Sequence, residues 1–318
     1  MKRVIAYHGR CLDGMASAAL AAKLLEQVDG PADQVVFKPQ VHRQGNRFDD
    51  AALDGDSNAI VDFKYSASPR LHWWFDHHKS AFVDDAARAH HATRPPERFV
   101  LDLAAPSCAH VLDAVARTQH GLQLIADDTL AWVDRVDSAR FRSAAEAVEL
   151  AHPALQLMTW VETAPHDEVS ALIPRFLEQP IAELVAQQPV RSALAAQLAQ
   201  HRANIELFRR HARLQGPVLL CDLGSVEVDG FNKFIGYYLF PEAVYSVVVT
   251  QGSERSKVSV GSNPWRADER RHDIAALCEA HGGGGHPAVG AVTLPPGQVA
   301  RARDIAQQIV QQLAGHPS

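Results

Sequence analysis

The feature that most constrains the fold is an alternation, in the first half of the chain, between short apolar runs and longer stretches of helical composition. Arg3-Val4-Ile5-Ala6-Tyr7 is followed by an Ala-rich stretch from Gly14 to Leu25, then by Val35-Val36-Phe37 and Ala59-Ile60-Val61-Asp62-Phe63. Strand, helix, strand in repetition predicts a parallel sheet covered by helices. The next expected strands are Leu71 to Phe75 and Phe99 to Leu101, with helices over 107–120 and 128–136. Open sheets of this kind bind ligands beyond the C-terminal ends of their strands, and His8, Asp62 and Asp76 all fall at such ends.

A chain of 318 residues is about two domains. From His152 to Gln215 the sequence turns to Ala, Leu, Gln and Arg, punctuated by Pro153, Pro165, Pro174, Pro180 and Pro189. This predicts a helical connector, 151–215, between a first domain, 1–150, and a smaller α/β domain, 216–318. In the latter, strands are expected over 218–220, 244–250 and 257–260, and helices over 231–240, 274–281 and 298–313. The overall expectation is a two-domain α/β protein.

The net charge of −6 comes from scattered acidic residues, so no broad basic face is offered to long nucleic acid. No apolar run suits a signal peptide or the roughly 18 residues of a membrane span, and a cytoplasmic protein is expected. Cys11, Cys108, Cys221 and Cys278 are widely separated and lack CxxC spacing, which argues against a disulfide framework or a zinc knuckle. Whether the chain works as a homodimer is left open.

Chemistry concentrates in three segments. Asp76-His77-His78 sets a carboxylate beside two imidazoles directly after an apolar run, Tyr7-His8-Gly9-Arg10-Cys11-Leu12-Asp13-Gly14 opens the chain, and Gly282-Gly283-Gly284-Gly285-His286-Pro287 lies near its end. Carboxylates and imidazoles converging at strand ends can hold magnesium- or manganese-type cations, with imidazole shifting the choice toward transition metals. Two such ions about 3.5–4 Å apart can serve phosphoryl displacement, with Asp62 placed to bridge them. Successive glycines let backbone N–H groups approach an anion, and His286 adds a donor. Arg255, Lys257 and Asn263 lie on or near the preceding strand and could complete that pocket. His72, His90, His91 and His110 read as packing or surface residues.

With these motifs in order, the chain resembles the DHH phosphoesterase superfamily with a C-terminal DHHA1 domain. Asp76-His77-His78 matches the naming motif, and Gly283-Gly284-Gly285-His286-Pro287 with Gly290 resembles the glycine-rich signature of the second domain. The resemblance implies His8 on one metal, Asp13 and His77 on the other, and Asp62 between them. It implies a further carboxylate from Trp132-Val133-Asp134-Arg135-Val136-Asp137, with Asp134 slightly preferred over Asp137. His78 would face the scissile phosphate, to stabilise charge or protonate the leaving oxygen, and Asp76 would orient the histidines or touch a metal.

The chain departs from the family pattern at Cys11, where Asp-x-Asp is replaced by Cys11-Leu12-Asp13. A thiolate would favour zinc or ferrous iron over magnesium, whereas a protonated thiol would hold its metal weakly. A retuned two-metal site, a one-metal enzyme and a binding protein with little turnover are the alternatives. The expectation is a metal-dependent phosphoesterase, with manganese first and zinc, iron or magnesium as alternatives, acting on short oligoribonucleotides or small nucleotide phosphodiesters in an interdomain cleft. Polyphosphate or pyrophosphate hydrolysis is the enzymatic alternative, and a nucleotide-binding regulatory protein the non-enzymatic one.

Overall fold

The computed structural model describes residues 1–41, 48–228 and 230–315. The chain runs β1 (Lys2–His8), α1 (Leu12–Asp29), β2 (Gln34–Gln40), β3 (Ser57–Val61), β4 (Trp73–Asp76), α2 (Asp85–His91), β5 (Phe99–Leu101), α3 (Cys108–His120) and α4 (Asp127–Asp137). Helices α5 (Ala144–Glu149), α6 (Pro153–Thr163), α7 (His166–Leu172), α8 (Ile181–Ala186) and α9 (Val190–His211) follow. The last part comprises β6 (Ala212–Gln215), β7 (Val218–Glu227), α10 (Ile235–Leu239), β8 (Tyr245–Gln251), β9 (Ser256–Ser262), α11 (Ile274–Glu279), β10 (Gly284–His286), β11 (Val289–Leu294) and α12 (Val299–Ala314). Two compact units result, residues 1–141 with 150–195, and residues 142–149 with 196–318. The helical stretch 151–215 is thus divided between the units at Ala195 and Ala196.

The first unit is built on a five-stranded sheet, in the order β2-β1-β3-β4-β5, with every neighbouring pair parallel. Val4, Ile5, Ala6 and Tyr7 are all inaccessible to solvent, as is expected of a central parallel strand covered on both faces. One cover is α1, whose alanines let it lie close to the sheet and to α3, so that most of its first half is buried. Successive residues of β4 point to opposite faces. Trp73 stacks on Phe75, with ring centroids 6.0 Å apart, and donates its Nε1–H to Asp29 at 2.8 Å. Trp74 points the other way, into Tyr65, Phe82 and His91, and donates to the Phe63 carbonyl at 3.0 Å. Both indoles therefore bury their rings without stranding their N–H groups.

The second unit has a six-stranded sheet, β10-β11-β9-β8-β7-β6, in which only β7 and β8 run parallel. Ala302, Ile305, Ala306, Ile309, Val310 and Leu313 recur at helical spacing along α12 and join the core of that unit. The two-domain α/β expectation holds, with one parallel sheet and one mixed sheet.

Candidate metal centre

The loops at the C-terminal ends of β1, β3 and β4 bring five polar side chains together. His8 ends β1, Asp62 follows β3, and Asp76, His77 and His78 lie at and beyond the end of β4. Asp62 is fully buried and has φ +54°, a left-handed backbone conformation that a non-glycine residue adopts at a cost and that clusters at functional sites. Its Oδ2 lies 3.2 Å from His8 Nδ1. Its Oδ1 makes no hydrogen bond among the described residues, although His78 Nδ1 and His77 Nε2 stand at 3.6 and 3.8 Å.

The orientation of His77 is decisive. Its Nδ1 lies 3.2 Å from the carbonyl of Ala105, which can only accept, so Nδ1 carries a proton and, in the neutral ring, Nε2 presents the lone pair. That Nε2 is buried with no hydrogen bond among the described residues and faces Asp137 Oδ2 at 3.3 Å and Asp13 Oδ2 and Asp62 Oδ1 at 3.8 Å. In the neutral ring that lone pair is repelled by three carboxylates, and either a cation among them or a second proton on the ring removes the repulsion. An imidazole whose far nitrogen is tied to a backbone carbonyl is the usual poise of a metal ligand. The donors fit a divalent cation in three overlapping sets, His8 with Cys11 and Asp62, Asp62 with His77 and His78, and Asp13 with His77 and Asp137.

Helix termini complete the site. Asp13, at the start of α1, accepts from the backbone N–H groups of Cys108 and Ala109 at 2.7 and 2.9 Å and from Ser17 Oγ at 3.2 Å, so the N-terminus of α3 is aimed at it. Burial and the neighbouring Asp137 nevertheless push its carboxyl up to about 7, against those three donors. Burial, then Asp13, Asp137 and Asp76, drive Asp62 well above the usual carboxylate range. Asp137 is raised by burial, with His77 and His78 opposing. Cys11 is half-buried, and its thiol is raised by desolvation and by Asp62, Asp13 and Asp137, while the Gly14 amide pulls the other way.

Asp76 organises the turn that carries the histidines. Its Oδ1 accepts from His77 N at 2.8 Å, from His78 N at 3.3 Å and from His78 Nδ1 at 2.8 Å. The last of these hydrogen bonds is the main cause of the raised pKa of His78, and with Nδ1 so engaged the ring, partly exposed, can present Nε2 outward.

Gly14 sets the approach of α1 to β1. A Cβ there would stand 2.0 Å from the His8 carbonyl oxygen, which is backbone and cannot yield. Gly14→Ala is expected to cost about 1–3 kcal/mol by overpacking and to displace His8, so both the thermal unfolding temperature and the affinity for divalent cations should fall; an alanine variant with unchanged cation affinity would contradict this geometry.

The placement of the remaining candidates is uneven. Asp137, not the slightly preferred Asp134, joins the cluster. Asp134 is held elsewhere, by Ser107 Oγ at 2.6 Å and His110 Nδ1 at 2.9 Å, so His110 has a role that its isolation in the sequence concealed. Ser107 is also the N-cap of α3, with its side chain accepting from His110 N, and that local pattern is the one available signal. His72, His90 and His91 are packing residues, bonded to Asn58 N, Tyr65 Oη and the Phe99 carbonyl.

In the second unit the glycine-rich segment forms a hairpin. The amides of Gly282 and Gly283 close the end of α11 through the carbonyls of Glu279 and Cys278, and Gly284, Gly285 and His286 pair with β11. A Cβ at Gly283 or Gly285 would meet the Ala291 or Val289 carbonyl oxygen at 2.2 or 2.3 Å, so close backbone packing accounts for both. His286 is exposed. Arg255 is not brought to this segment. It precedes Ser256, which pairs with Leu294, whereas Gly285 and His286 align through β11 with Val260 and Gly261 at the other end of β9, roughly 15 Å away at strand rise. Asn263 is buried and bonded to the Ala243 carbonyl and Trp265 N, which leaves it a structural cap.

The fold of this chain, a five-stranded parallel sheet followed by a mixed-sheet unit, is that of solved DHH-domain proteins. The pGpG-specific phosphodiesterase PggH from Vibrio cholerae matches over 98% of this chain and 99% of its own, with a TM-score of 0.70 and 20% identity. RecJ from Thermus thermophilus, in complex with Mn2+, matches over 98% of this chain with a TM-score of 0.52 and 13% identity, and this chain spans 52% of that one. An exopolyphosphatase-related protein from Bacteroides fragilis matches over 98% of this chain and 93% of its own, with a TM-score of 0.51 and 12% identity. No protein-family model and no curated protein matches the sequence. Among the described residues no helix is long and apolar enough to cross a membrane.

Proposed function

We propose that this chain is a metal-dependent phosphodiesterase that cleaves short nucleotide phosphodiesters, linear dinucleotides foremost. The observation that carries the reading is His77 Nε2 turned into Asp13, Asp62 and Asp137, where Nε2 and Asp62 Oδ1 are buried and have no hydrogen bond among the described residues. Support for the substrate class comes from the likeness to a pGpG-specific phosphodiesterase over nearly the full length of both chains.

A divalent cation held by this cluster, manganese foremost, would supply water activation and neutralisation of phosphate charge. The protein's own part is positional and protonic. Asp62 lies in two of the overlapping donor sets through its buried carboxylate. His78, tied at Nδ1 to Asp76 and favoured in its protonated form, is assigned to donate a proton from Nε2 to the oxygen that leaves phosphorus. Water adds to phosphorus and gives up one proton to solvent, the ester oxygen departs with the proton from His78, which solvent then restores, and a linear dinucleotide yields two mononucleotides.

The test is hydrolysis of pGpG, short oligoribonucleotides and polyphosphate, each with manganese, magnesium, zinc or a chelator, by the full chain and by His77→Ala. Chelator-sensitive release of mononucleotides that His77→Ala loses is expected. Preferential hydrolysis of polyphosphate would move the substrate class, and nucleotide binding without turnover under any metal would replace the enzyme with a binding protein.

A further inference from the structure

We propose that Cys11 is a metal ligand, so that the cation position of His8, Cys11 and Asp62 is an imidazole–thiolate–carboxylate site for zinc, iron(II) or cobalt(II), distinct in kind from the harder position of Asp13, His77 and Asp137. This rests on the reading of the cluster as a divalent-cation centre. The ligand atoms of His8, Cys11 and Asp62 lie within 4.8 Å of one another, and so do those of Asp13, His77 and Asp137. Asp62, fully buried, belongs to the first set and turns Oδ2 to His8 Nδ1 at 3.2 Å, while its Oδ1, which has no hydrogen bond among the described residues, faces His77 and His78.

Cys11 does not behave as a packing residue. Cys108, Cys221 and Cys278 are all at 0% exposure and fill cores, whereas Cys11 is only half-buried. It occupies the N-cap of α1, where the Gly14 amide faces its sulfur without closing a full capping hydrogen bond and where serine or aspartate would cap better. Its Sγ stands 3.9 Å from Asp137 Oδ1, so the sulfur sits at the edge of the second set as well. A partly exposed thiol placed among an imidazole and carboxylates has the geometry of a ligand. On binding, the S–H proton leaves to solvent and the sulfur gives its electron pair to the cation. Soft sulfur favours the later divalent metals over magnesium, while the carboxylates of Asp13 and Asp137 suit manganese or magnesium. The pair of sites would therefore take up two different metals in a mixture.

Cobalt(II) provides a readout that does not depend on turnover. The metal-free full chain, titrated with cobalt, should show a near-ultraviolet thiolate-to-cobalt charge-transfer band that saturates with one of two bound equivalents. Cys11→Ser should lose the band and weaken that equivalent by about a hundredfold or more, since even outer partners of metal ligands are worth 10–100-fold, and should retain the other. Serine caps α1 as well as or better than cysteine, and the circular dichroism of the variant checks its fold. Cys11→Asp should bind two equivalents without the band and shift zinc-over-manganese preference toward manganese by about tenfold or more. Two bound cobalt ions in the native chain without a band, or a band that survives in Cys11→Ser, would overturn the assignment of Cys11 and leave the phosphodiesterase reading standing. No cation bound by the native chain would overturn both.

Discussion

Asp62→Asn is expected to abolish turnover, by about a thousandfold or more, while raising the unfolding temperature of the metal-free protein. The two effects have one cause. Asp62 is inaccessible to solvent, leaves Oδ1 without a hydrogen bond among the described residues, and is surrounded by Asp13, Asp137 and Asp76, all of which oppose its ionisation. A neutral side chain of the same shape relieves that repulsion, and its amide protons find carboxylate acceptors. Asparagine is also among the residues that tolerate the left-handed backbone found here, so the substitution adds no backbone penalty. What it removes is the charged ligand that lies in two of the three donor sets, and the rise in unfolding temperature on adding manganese should shrink with it. Differential scanning calorimetry with and without manganese, beside a turnover assay, measures both. A metal-free variant that unfolds at lower temperature would show that Asp62 serves the fold rather than a cation.

Without metal, the protein is expected to lose stability as the pH rises from about 4 toward 7, the reverse of a protein held by paired carboxylates. Asp13 is raised from 3.8 to about 7 in the folded state, so between those values the native chain binds more protons than the unfolded one. Its contribution is fully present below the lower value and is lost as pH passes the upper one, on the order of 4 kcal/mol for Asp13 alone. Asp62 and Asp137 shift in the same direction, and so does His78, whose protonated form is favoured by Asp76. A divalent cation replaces those protons, so it should flatten the slope and be taken up with proton release. Unfolding temperatures between about pH 4.5 and 8, with chelator and with manganese, check this. A metal-free curve that climbs with pH would mean that the carboxylates are paired within the protein.

Much of this could be read from the chain because central parallel strands are apolar on both faces and end abruptly. The runs at Val4–Tyr7 and Ala59–Val61 could only be interior strands, and a polar residue directly after such a run had to stand at the sheet's edge. The choice between Asp134 and Asp137 was not legible, because the two share one helix and are separated by partners on another, Ser107 and His110, which no periodicity reports. The glycine-rich segment misled in a different way. Composition cannot distinguish glycines that open a backbone to an anion from glycines that let two strands meet, and Gly283 and Gly285 do the latter. Arg255 lies near that segment in sequence, but the register of β9 and β11 carries it to the far end.

The segment from Ala105 to His110 bonds to three separate parts of the first unit, taking the His77 ring at the Ala105 carbonyl, the Asp13 carboxylate at the amides of Cys108 and Ala109, and Asp134 at Ser107 and His110. With Asp137 last among the gathered ligands, a chain emerging from the ribosome cannot assemble the cluster until that residue has been made and has folded against the strands before it. A nascent or truncated chain ending before that point is therefore silent toward cations at the Asp13, His77 and Asp137 position, and metal uptake there reports that the parallel sheet and its covering helices have closed.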